Sequence, residues 1–452
     1  MSSSPSTESP RLVLYHQTIH HNGKFVSIKP LTQTGVTHVY IAAIHLNDPP
    51  ENITLNDHHP DDPRYEELWQ EVEYVQGIEK PITVMGMLGG AAKGSYEKLE
   101  RNFEPYYAVL STLIRKRSLQ GLDLDVEEPT KLSTIQKLIT RLKADFGSTF
   151  IITLAPVMPA LLPRSPRLTS LTYRLLHPEL PASESSIVRA LCQARFLKSH
   201  KHLSGFNHFE LEASDAGKLV EWYNVQFYCG WGDASNTRFY EALVTAGWNP
   251  RKLVLGVVTN PGNGAGHVEL EKLQDVVKTL ATKYGNQFGG VMGWEYFNAV
   301  REKDASRAES MQRPIELPWM WAFDLAHVMG KLDVTNYEEA EREAYTQGLP
   351  SRAGSSTPNP TSQSHPHPPD PAPASTNATI QAQNPFAQLI ASLPSAPPPP
   401  PQEQQPRPPQ TPQNEASTQQ LVDMGAERAE AIAALEAMEG NVDAAAALLF
   451  GD

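Results

Sequence analysis

The sequence predicts an α/β protein whose main part is an eight-stranded β/α (TIM-type) barrel. Short apolar segments rich in β-branched residues alternate with amphipathic segments of helical periodicity eight times through the first 335 residues. All seven tryptophans lie at or before Trp321, so the aromatic content typical of a folded core is confined to this part. A chain of 452 residues is long for one domain and sufficient for two.

The eight strand candidates are apolar runs, as expected where both faces of a parallel sheet are buried. They are 11–16, 37–44, 82–87, 122–127, 149–156, 223–228, 252–258 and 290–294. Amphipathic patterns between them predict helices over 64–78, 96–117 and 131–146. The interval from Val157 to Glu221 is too long for one connection, so we expect an inserted subdomain there, with residues 204–212 as an additional strand.

The composition changes after the predicted barrel. Nineteen of the 39 prolines fall between Pro350 and Pro412, within a segment of Pro, Ser, Gln and Thr that has too little apolar surface to fold. Residues 415–452 then predict a small three-helix domain, with helices over 418–424, 427–439 and 442–450. The predicted organisation is a barrel over residues 1–349, a disordered linker over 350–414 and a helical domain over 415–452.

Charge and cysteine content limit the functional classes. The formal net charge is −13, from 38 basic and 51 acidic residues, which argues against nucleic-acid binding. Two cysteines, Cys192 and Cys229, provide neither a disulfide framework nor the paired spacing of a zinc site. No apolar run is long enough to predict a membrane span, and the first residues lack the pattern of a secretory signal. We therefore expect a cytoplasmic or nuclear protein that is not secreted and does not act on a membrane.

The segment 120–128, QGLDLDVEE, carries the most chemical information. Side chains alternate between the two faces of a strand, so Asp123, Asp125 and Glu127 share one face, spaced about 7 Å apart, and Glu127 comes last. Active sites of β/α barrels lie at the carboxyl ends of the strands. Three inward acids repel when ionised, so at least one should keep a proton near neutral pH. A protonated carboxyl beside an ionised one is suited to cleaving a glycosidic bond.

The acidic segment has two other possible interpretations. One is an exposed strand with a solvated acidic face, which the long helical segments on either side make less favourable. The other is a magnesium or calcium site, because carboxylates bind hard cations. Further acids at suitable spacing are not found nearby in the sequence. The sequence therefore predicts a hydrolytic site that uses neither a metal nor another cofactor.

Residues 120–127 resemble the signature Asp-Gly-x-Asp-x-Asp-x-Glu of glycoside hydrolase family 18, the chitinase family, in all but the first residue. The resemblance extends over about residues 11–335 and is greatest to the plant-type, single-domain chitinases. Three further segments resemble that group: Gln226-Phe227-Tyr228, the run 289–294 that ends in Trp294, and Tyr15 at the end of the first strand. Taken alone, Tyr228 and Trp294 would be interpreted as barrel core.

The resemblance implies a mechanism. Family 18 enzymes are substrate-assisted exceptions to the use of two carboxylates. Glu127 would act as general acid and then as base, and the N-acetyl oxygen of the bound sugar would be the nucleophile. Asp125 would orient the acetamide, and Asp123 would share a proton with Asp125. Because Glu127 must start protonated, the pH optimum should be mildly acidic.

The resemblance also implies the substrate contacts. Gln226 and Tyr228 would contact the sugar at the cleavage site, Trp294 would form the floor beneath it, and Tyr15 would complete the aromatic surroundings. The sequence departs from the family motifs at two places, and both concern residues that would support the site without contacting the substrate. Gln120 replaces the first Asp of the signature, and Met87-Leu88-Gly89-Gly90 replaces a Ser-x-Gly-Gly motif, so a buried hydroxyl is lost.

The last part of the sequence resembles a ubiquitin-associated (UBA) domain. The resemblance rests on LVDMG (421–425) and on MEGNVDAAAALLF (438–450). It implies that ubiquitin contacts Met424, Gly425 and the end of the third helix at Leu448 and Leu449. Ala426 stands where an aromatic residue is expected, which should weaken binding. A helical tail with no partner is the alternative.

Together these features predict an intracellular, retaining, chitinase-like glycoside hydrolase that cleaves β-1,4 bonds at N-acetylglucosamine, with ubiquitin or ubiquitinated proteins as partners. Chitin oligomers are the first expected substrate. An endo-β-N-acetylglucosaminidase that acts on N-glycans is the alternative, and the catalytic strand does not separate the two. A non-catalytic sugar-binding adaptor is the third possibility, although lectin-like members of the family typically lose the residue equivalent to Glu127.

Overall fold

Eight parallel strands close into a barrel in the computed structural model, which describes residues 9–162, 203–300, 317–332 and 417–419. The strands are β1 (Arg11–His16), β2 (His38–His45), β3 (Thr83–Gly89), β4 (Gly121–Asp125), β5 (Ile151–Leu154), β6 (Trp222–Gln226), β7 (Leu253–Val258) and β8 (Gly290–Trp294). Hydrogen bonding connects them in the order β1-β8-β7-β6-β5-β4-β3-β2, and β2 pairs with β1 to close the ring. The predicted fold class is confirmed.

Helices surround the barrel and follow the amphipathic patterns of the sequence. The α-helices are α1 (Glu66–Gly77), α2 (Ser95–Arg101), α3 (Phe103–Lys116), α4 (Leu132–Phe146), α5 (His208–Glu212), α6 (Arg238–Thr245), α7 (Leu270–Tyr284) and α8 (Trp319–Val328). Short 3₁₀ helices occupy Lys29–Gln33, Pro50–Asn52, Pro63–Tyr65, Met158–Leu161, Gly217–Leu219, Pro250–Lys252, Pro261–Asn263 and Gly285–Gln287. Small strands His20–His21 and Lys24–Phe25 pair with each other, and Thr54–Leu55 pairs with β2.

Two groups of buried side chains correspond to the two faces of the barrel wall. The outer group includes Leu122, Leu124 and Val126 and packs under the helices. The inner group fills the barrel with bulky side chains, among them Tyr15 and Met87. Strand alternation therefore turns Asp123 and Asp125 inward, as the pattern of residues 122–126 predicts.

Three sequence-based element predictions are corrected by the structure. The single helix predicted over 96–117 is two helices separated at Asn102, whose φ of −152° and ψ of 80° are not helical. Pro105 has no N–H to donate to a preceding helical turn, and the first turn of a new helix tolerates it. Strand β4 also ends earlier than predicted. Its last residue is Asp125, which leaves Glu127 on the loop that follows.

The additional strand predicted over 204–212 is wrong, because residues 208–212 form helix α5. Asn207 explains the difference. Its side-chain oxygen accepts hydrogen bonds from the N–H groups of Phe209 (2.8 Å) and Glu210 (3.3 Å), which caps the start of the helix.

Several predictions fall outside the described residues. These are most of the insertion (163–202), the linker over 350–414 and nearly all of the helical domain, including Met424, Gly425, Leu448 and Leu449. Within the described part, no helix combines the length and apolar character needed to cross a membrane.

Candidate active site

Asp123 lies inside the barrel at the middle of β4 and has no solvent exposure. Its Oδ2 accepts a hydrogen bond from the Tyr15 hydroxyl at 2.7 Å. Its Oδ1 accepts from Thr153 Oγ1 at 2.5 Å and from Asn224 Nδ2 at 3.0 Å. Burial raises the pKa of Asp123 to about 6, and these three hydrogen bonds oppose the rise. Near neutral pH the group is thus able to carry the charge while a neighbour keeps a proton.

Asp125 is the next inward acid and is only 6% exposed. Burial raises its pKa well above the ordinary value, and the charges of Glu127 and Asp123 raise it further. The end of β3 approaches it closely: Gly89 has a φ of +93°, and a Cβ there would lie 2.5 Å from the Asp125 carbonyl oxygen. Gly90 donates its N–H to the same carbonyl at 2.9 Å. The two glycines therefore permit a contact that any side chain at position 89 would prevent.

Glu127 lies just past β4 and is partly exposed, unlike the two aspartates. Burial raises its pKa, while a hydrogen bond from Gln226 and the positive charge of Lys93 act in the opposite direction. Gln226 Nε2 lies 3.2 Å from Glu127 Oε1 and 3.5 Å from Asp125 Oδ1, and it donates to the Ala155 carbonyl at 2.9 Å. One amide group therefore fixes the spacing of both acids.

Aromatic side chains form the wall around this row of acids. The rings of Tyr15 and Trp294 have centroids 5.3 Å apart, and Tyr15 packs edge-on against Tyr40 at 4.9 Å. Trp294 is partly exposed, whereas Tyr228 is buried and belongs to the same inner group. Burial raises the pKa of Tyr228 well above its usual range, with Asp125 and Glu127 contributing, so its hydroxyl stays protonated and able to donate.

The predicted site residues of the barrel thus lie together at one end of it: Glu127, Asp125, Asp123, Tyr228, Gln226, Trp294 and Tyr15. The loop after β1 is held to the end of β8 beside Trp294, because Glu295 accepts from the N–H groups of Gln17 (3.1 Å) and Thr18 (2.8 Å). A polar cleft of about 500 Å³ adjoins this end. Its lining residues are Gln17, Thr18, Ile19, His20, His45, Asn56, Asp57, His58, Arg64, Tyr65 and Ala92.

The two departures from the family motifs have different surroundings. Gln120 lies at the opposite, amino end of β4, where its Oε1 accepts from the Val84 N–H at 2.9 Å, so its side chain supports the pairing of β3 and β4. Met87 faces the barrel interior and is paired in register with Asp123. Asp123 consequently has an apolar neighbour on β3 and takes its hydrogen bonds from β1, β5 and β6.

The sequence patterns did not identify several residues that hydrogen-bond to the acids or act on them through their charge. Thr153 and Asn224 are inward residues of β5 and β6, and Lys93 comes from the loop after β3. A polar residue at an inward position of a strand, two residues from Gln226, is a signal that would have identified Asn224. Among residues 9–162, 203–300, 317–332 and 417–419, no cluster of three His, Cys, Asp or Glu side chains is placed to hold a metal ion. The arrangement suits acid–base chemistry by carboxyl groups.

Two of the solved structures that match this chain cover most of the barrel and are more than 30% identical to it. A chitinase from Aspergillus fumigatus is 41% identical, with a TM-score of 0.55 over 71% of this chain and 99% of the other. A fungal endo-β-N-acetylglucosaminidase of glycosyl hydrolase family 18 is 34% identical, with a TM-score of 0.57 over 72% of this chain and 99% of the other. Among curated proteins, none matches the chain.

The tail matches a different family. The model of the UBA/TS-N domain matches residues 413–449, which agrees with the resemblance in that region. Three observations lead to one assignment. They are the barrel, its row of acids, and the two relatives, which are more than 30% identical to this chain and are matched over almost their whole length. The chain belongs to glycoside hydrolase family 18, is a glycoside hydrolase, and carries a UBA domain after its barrel.

Proposed function

We propose that this glycoside hydrolase cleaves β-1,4 bonds at N-acetylglucosamine with retention of configuration, by substrate-assisted catalysis. The observation that carries the proposal is the inward row Asp123, Asp125 and Glu127. All three acids have raised pKa values, because the barrel buries them. Such a row holds protons near neutral pH while one acid stays ionised, which is the state that this reaction needs.

In the first step, Glu127 donates its proton to the glycosidic oxygen as the bond to the anomeric carbon breaks. The N-acetyl oxygen of the same sugar forms a new bond to that carbon, giving an oxazolinium ion. Asp125 accepts a hydrogen bond from the acetamide nitrogen with its unprotonated oxygen, and the single negative charge of the Asp123–Asp125 pair stabilises the positive charge of the oxazolinium ion. The Tyr228 hydroxyl donates to the acetamide oxygen. Trp294 packs under the sugar ring.

In the second step, Glu127 acts as a base. Its carboxylate takes a proton from water as the water oxygen attacks the anomeric carbon and the bond to the acetamide oxygen breaks. Two displacements at one carbon leave its configuration retained. Gln226 keeps Glu127 and Asp125 at a fixed separation during both steps, through its contacts with the two carboxyl groups.

Chitin oligomers are the proposed substrate, and the N-glycan core is the alternative. The first is supported by the 41% identity to a protein named as a chitinase, and the second by the 34% identity to one named as an endo-β-N-acetylglucosaminidase. The polar cleft beside the site would bind a hydroxyl-rich chain in either case. A non-catalytic sugar-binding role is disfavoured because Glu127 is present.

The Glu127→Gln variant tests the mechanism. We expect turnover to fall by roughly a thousandfold or more, because the amide cannot donate the proton, while sugar affinity remains close to that of the wild type. Chitotetraose and, separately, a high-mannose glycopeptide would be incubated with both proteins, and products analysed by mass spectrometry and NMR for anomeric configuration.

Glu271→Gln serves as the matched control, because Glu271 is exposed on the outer helix α7. Unchanged turnover in Glu127→Gln would contradict the mechanism, and inverted product would contradict the substrate-assisted route. Cleavage of only one of the two compounds decides between the substrates.

We also propose that the UBA domain binds ubiquitin through Met424, Gly425, Leu448 and Leu449. The family match over residues 413–449 supports this binding. Because ubiquitin is attached to proteins inside cells, the domain supports a cytoplasmic or nuclear setting. The barrel (1–349) and the UBA domain (415–452) would be joined by a flexible, proline-rich linker (350–414).

A further inference from the structure

We propose that Asn224 is a positioning residue that keeps Asp123 ionised, so that the proton shared by the aspartate pair resides on Asp125. Asn224 touches neither the sugar nor Glu127 in the proposed reaction, and it acts through Asp123. The inference rests on the proposed function for its kinetic consequence, although the contacts themselves do not depend on it.

The side-chain amide of Asn224 has a fixed orientation toward the Asp123 carboxylate. The side chain is fully buried, and its Oδ1 accepts a hydrogen bond from the Trp222 indole N–H at 3.1 Å. With the oxygen bound to the indole, the amide nitrogen must face Asp123, where Nδ2 lies 3.0 Å from Oδ1. A flipped amide would lose the indole bond and place its oxygen against the carboxylate. The orientation is therefore determined by chemistry at both ends.

The second N–H of Asn224 reaches the same carboxylate by an indirect route. Nδ2 lies 3.3 Å from the Tyr40 hydroxyl, which lies 3.2 Å from Thr153 Oγ1. Because Thr153 donates its own proton to Asp123, its oxygen is free to accept from Tyr40. Nδ2 also lies 3.4 Å from the Tyr15 hydroxyl, which donates to Asp123 Oδ2. Every route from Asn224 therefore ends on the Asp123 carboxylate, and chains of this kind strengthen each member.

Hydrogen bonds stabilise the negative charge of Asp123, a role that ion pairs often have in proteins. Among the described residues, the interactions that lower its pKa are those from Thr153, Tyr15 and Asn224. The titratable groups that interact with Asp123 from the packed elements are phenols or acids. They are Tyr15 (β1), Tyr40 (β2), Tyr96 (α2), Asp125 (β4) and Tyr228 (after β6).

Asn224 is therefore a neutral hydrogen-bond donor. A cation in its place would favour the ionised form of both aspartates, and the pair would then keep no proton. The start of the reaction needs one proton on Glu127 and one shared by Asp123 and Asp125, which leaves a single negative charge beside the acetamide. A further proton on the pair removes that charge and defines the acid limb of the pH–rate profile. Hydrogen bonds that favour ionised Asp123 lower the pKa of this step. Loss of Asn224 should raise it.

The test replaces Asn224 by leucine, which keeps the branched shape and removes both donors, and by alanine in case leucine does not fold. The γ-carboxyl groups would be followed by ¹³C NMR in enzyme labelled at aspartate, with Asp123→Asn identifying the signal. We expect the titration midpoint of Asp123 to rise by about one pH unit, the effect of losing one hydrogen bond to a carboxylate. An unchanged midpoint in folded variants would overturn the proposal.

The pH–rate profile on chitotetraose and on the high-mannose glycopeptide gives the second readout. The acid limb of kcat/KM should move upward by about one pH unit, with kcat reduced and KM little changed. Thr34→Val is the control, because Thr34 is fully buried and its hydroxyl bonds the Leu31 carbonyl, away from the acids. It should lower Tm and leave both limbs in place. If the wild type cleaves neither compound, the proposed function fails while the NMR titration still decides the role of Asn224.

Discussion

Lys93 lies on the loop between β3 and α2, exposed to solvent, and its charge acts on Glu127. Burial alone would raise the pKa of Glu127 further than it does, because Lys93 and Gln226 both favour the ionised form. The general acid must be protonated to begin the reaction and ionised to finish it. At the scale of single residues, burial favours the protonated form of Glu127, whereas Lys93 and Gln226 favour the ionised form, and the reaction uses both forms.

Lys93→Met should therefore move the alkaline limb of kcat/KM to higher pH. Removing the positive charge raises the pKa of Glu127, so the acid keeps its proton over a wider range, by a few tenths to about one pH unit at low salt. Because Lys93 is exposed, the difference from wild type should shrink as ionic strength increases. Lys278→Met, on the outer surface of α7, is the control. An alkaline limb that stays in place at low salt would contradict this role for Lys93.

At the scale of elements, the loop that carries Lys93 is fastened to the end of β4 by Glu128. This buried carboxylate accepts hydrogen bonds from the N–H groups of Gly94 and Tyr96, each at 2.8 Å, at the start of helix α2. Negative charge is favourable at a helix N-terminus, and the bonded N–H groups have no partner within the helix. One residue after Glu127, the chain therefore ties α2 to the site.

Glu128→Ala should lower the free energy of unfolding by roughly 2 kcal/mol, because two buried N–H groups lose their acceptor. The measurement is the thermal melting midpoint by circular dichroism, with the position of the alkaline limb as a second readout. Glu97→Ala is the control, since Glu97 is exposed in the first turn of the same helix and should change stability by less than about 0.5 kcal/mol. Equal melting midpoints in the two variants would show that the cap contributes nothing.

At the scale of the whole molecule, the barrel strands were predictable to within one or two residues at most ends. Strands buried on both faces are continuous apolar runs, and a run such as 253–258 carries this information locally. The inward direction of Asp123 and Asp125 followed from alternation alone. Helix α5 was missed because its start depends on a single cap, Asn207, within a segment too short for periodicity to identify.

The support of the site was less predictable than its acids. Asn224 and Thr153 meet Asp123 only because β5 and β6 follow β4 around the barrel. Contacts between residues 101 and 30 positions apart in the chain leave no local pattern. Lys93 was missed for the same reason. A motif identifies the residues that react, whereas the residues that set their proton occupancy are brought in by the tertiary fold.

The presence of a barrel and a UBA domain in one chain leads to a further prediction. Met424→Glu in the full chain should leave kcat/KM on chitotetraose unchanged but reduce cleavage of a ubiquitin-linked glycoprotein by roughly tenfold or more. Binding of the tag would hold the sugar near the site, since a flexible linker of 65 residues would span roughly 45 Å and give a high local concentration. Initial rates on tagged and untagged glycoprotein are the measurement. Equal rates for the wild-type enzyme on both would exclude cooperation between the two domains.

Placing two acids inside a packed barrel, with a third on the loop that follows, has an evolutionary consequence. Each buried carboxyl that must ionise opposes folding, and exchange of one oxygen for an amide nitrogen at Asp125 or Glu127 relieves that opposition while ending turnover. Selection for durability alone would thus push descendants of this sequence toward inert sugar-binding proteins. Keeping all three acids therefore favours bond cleavage over stability.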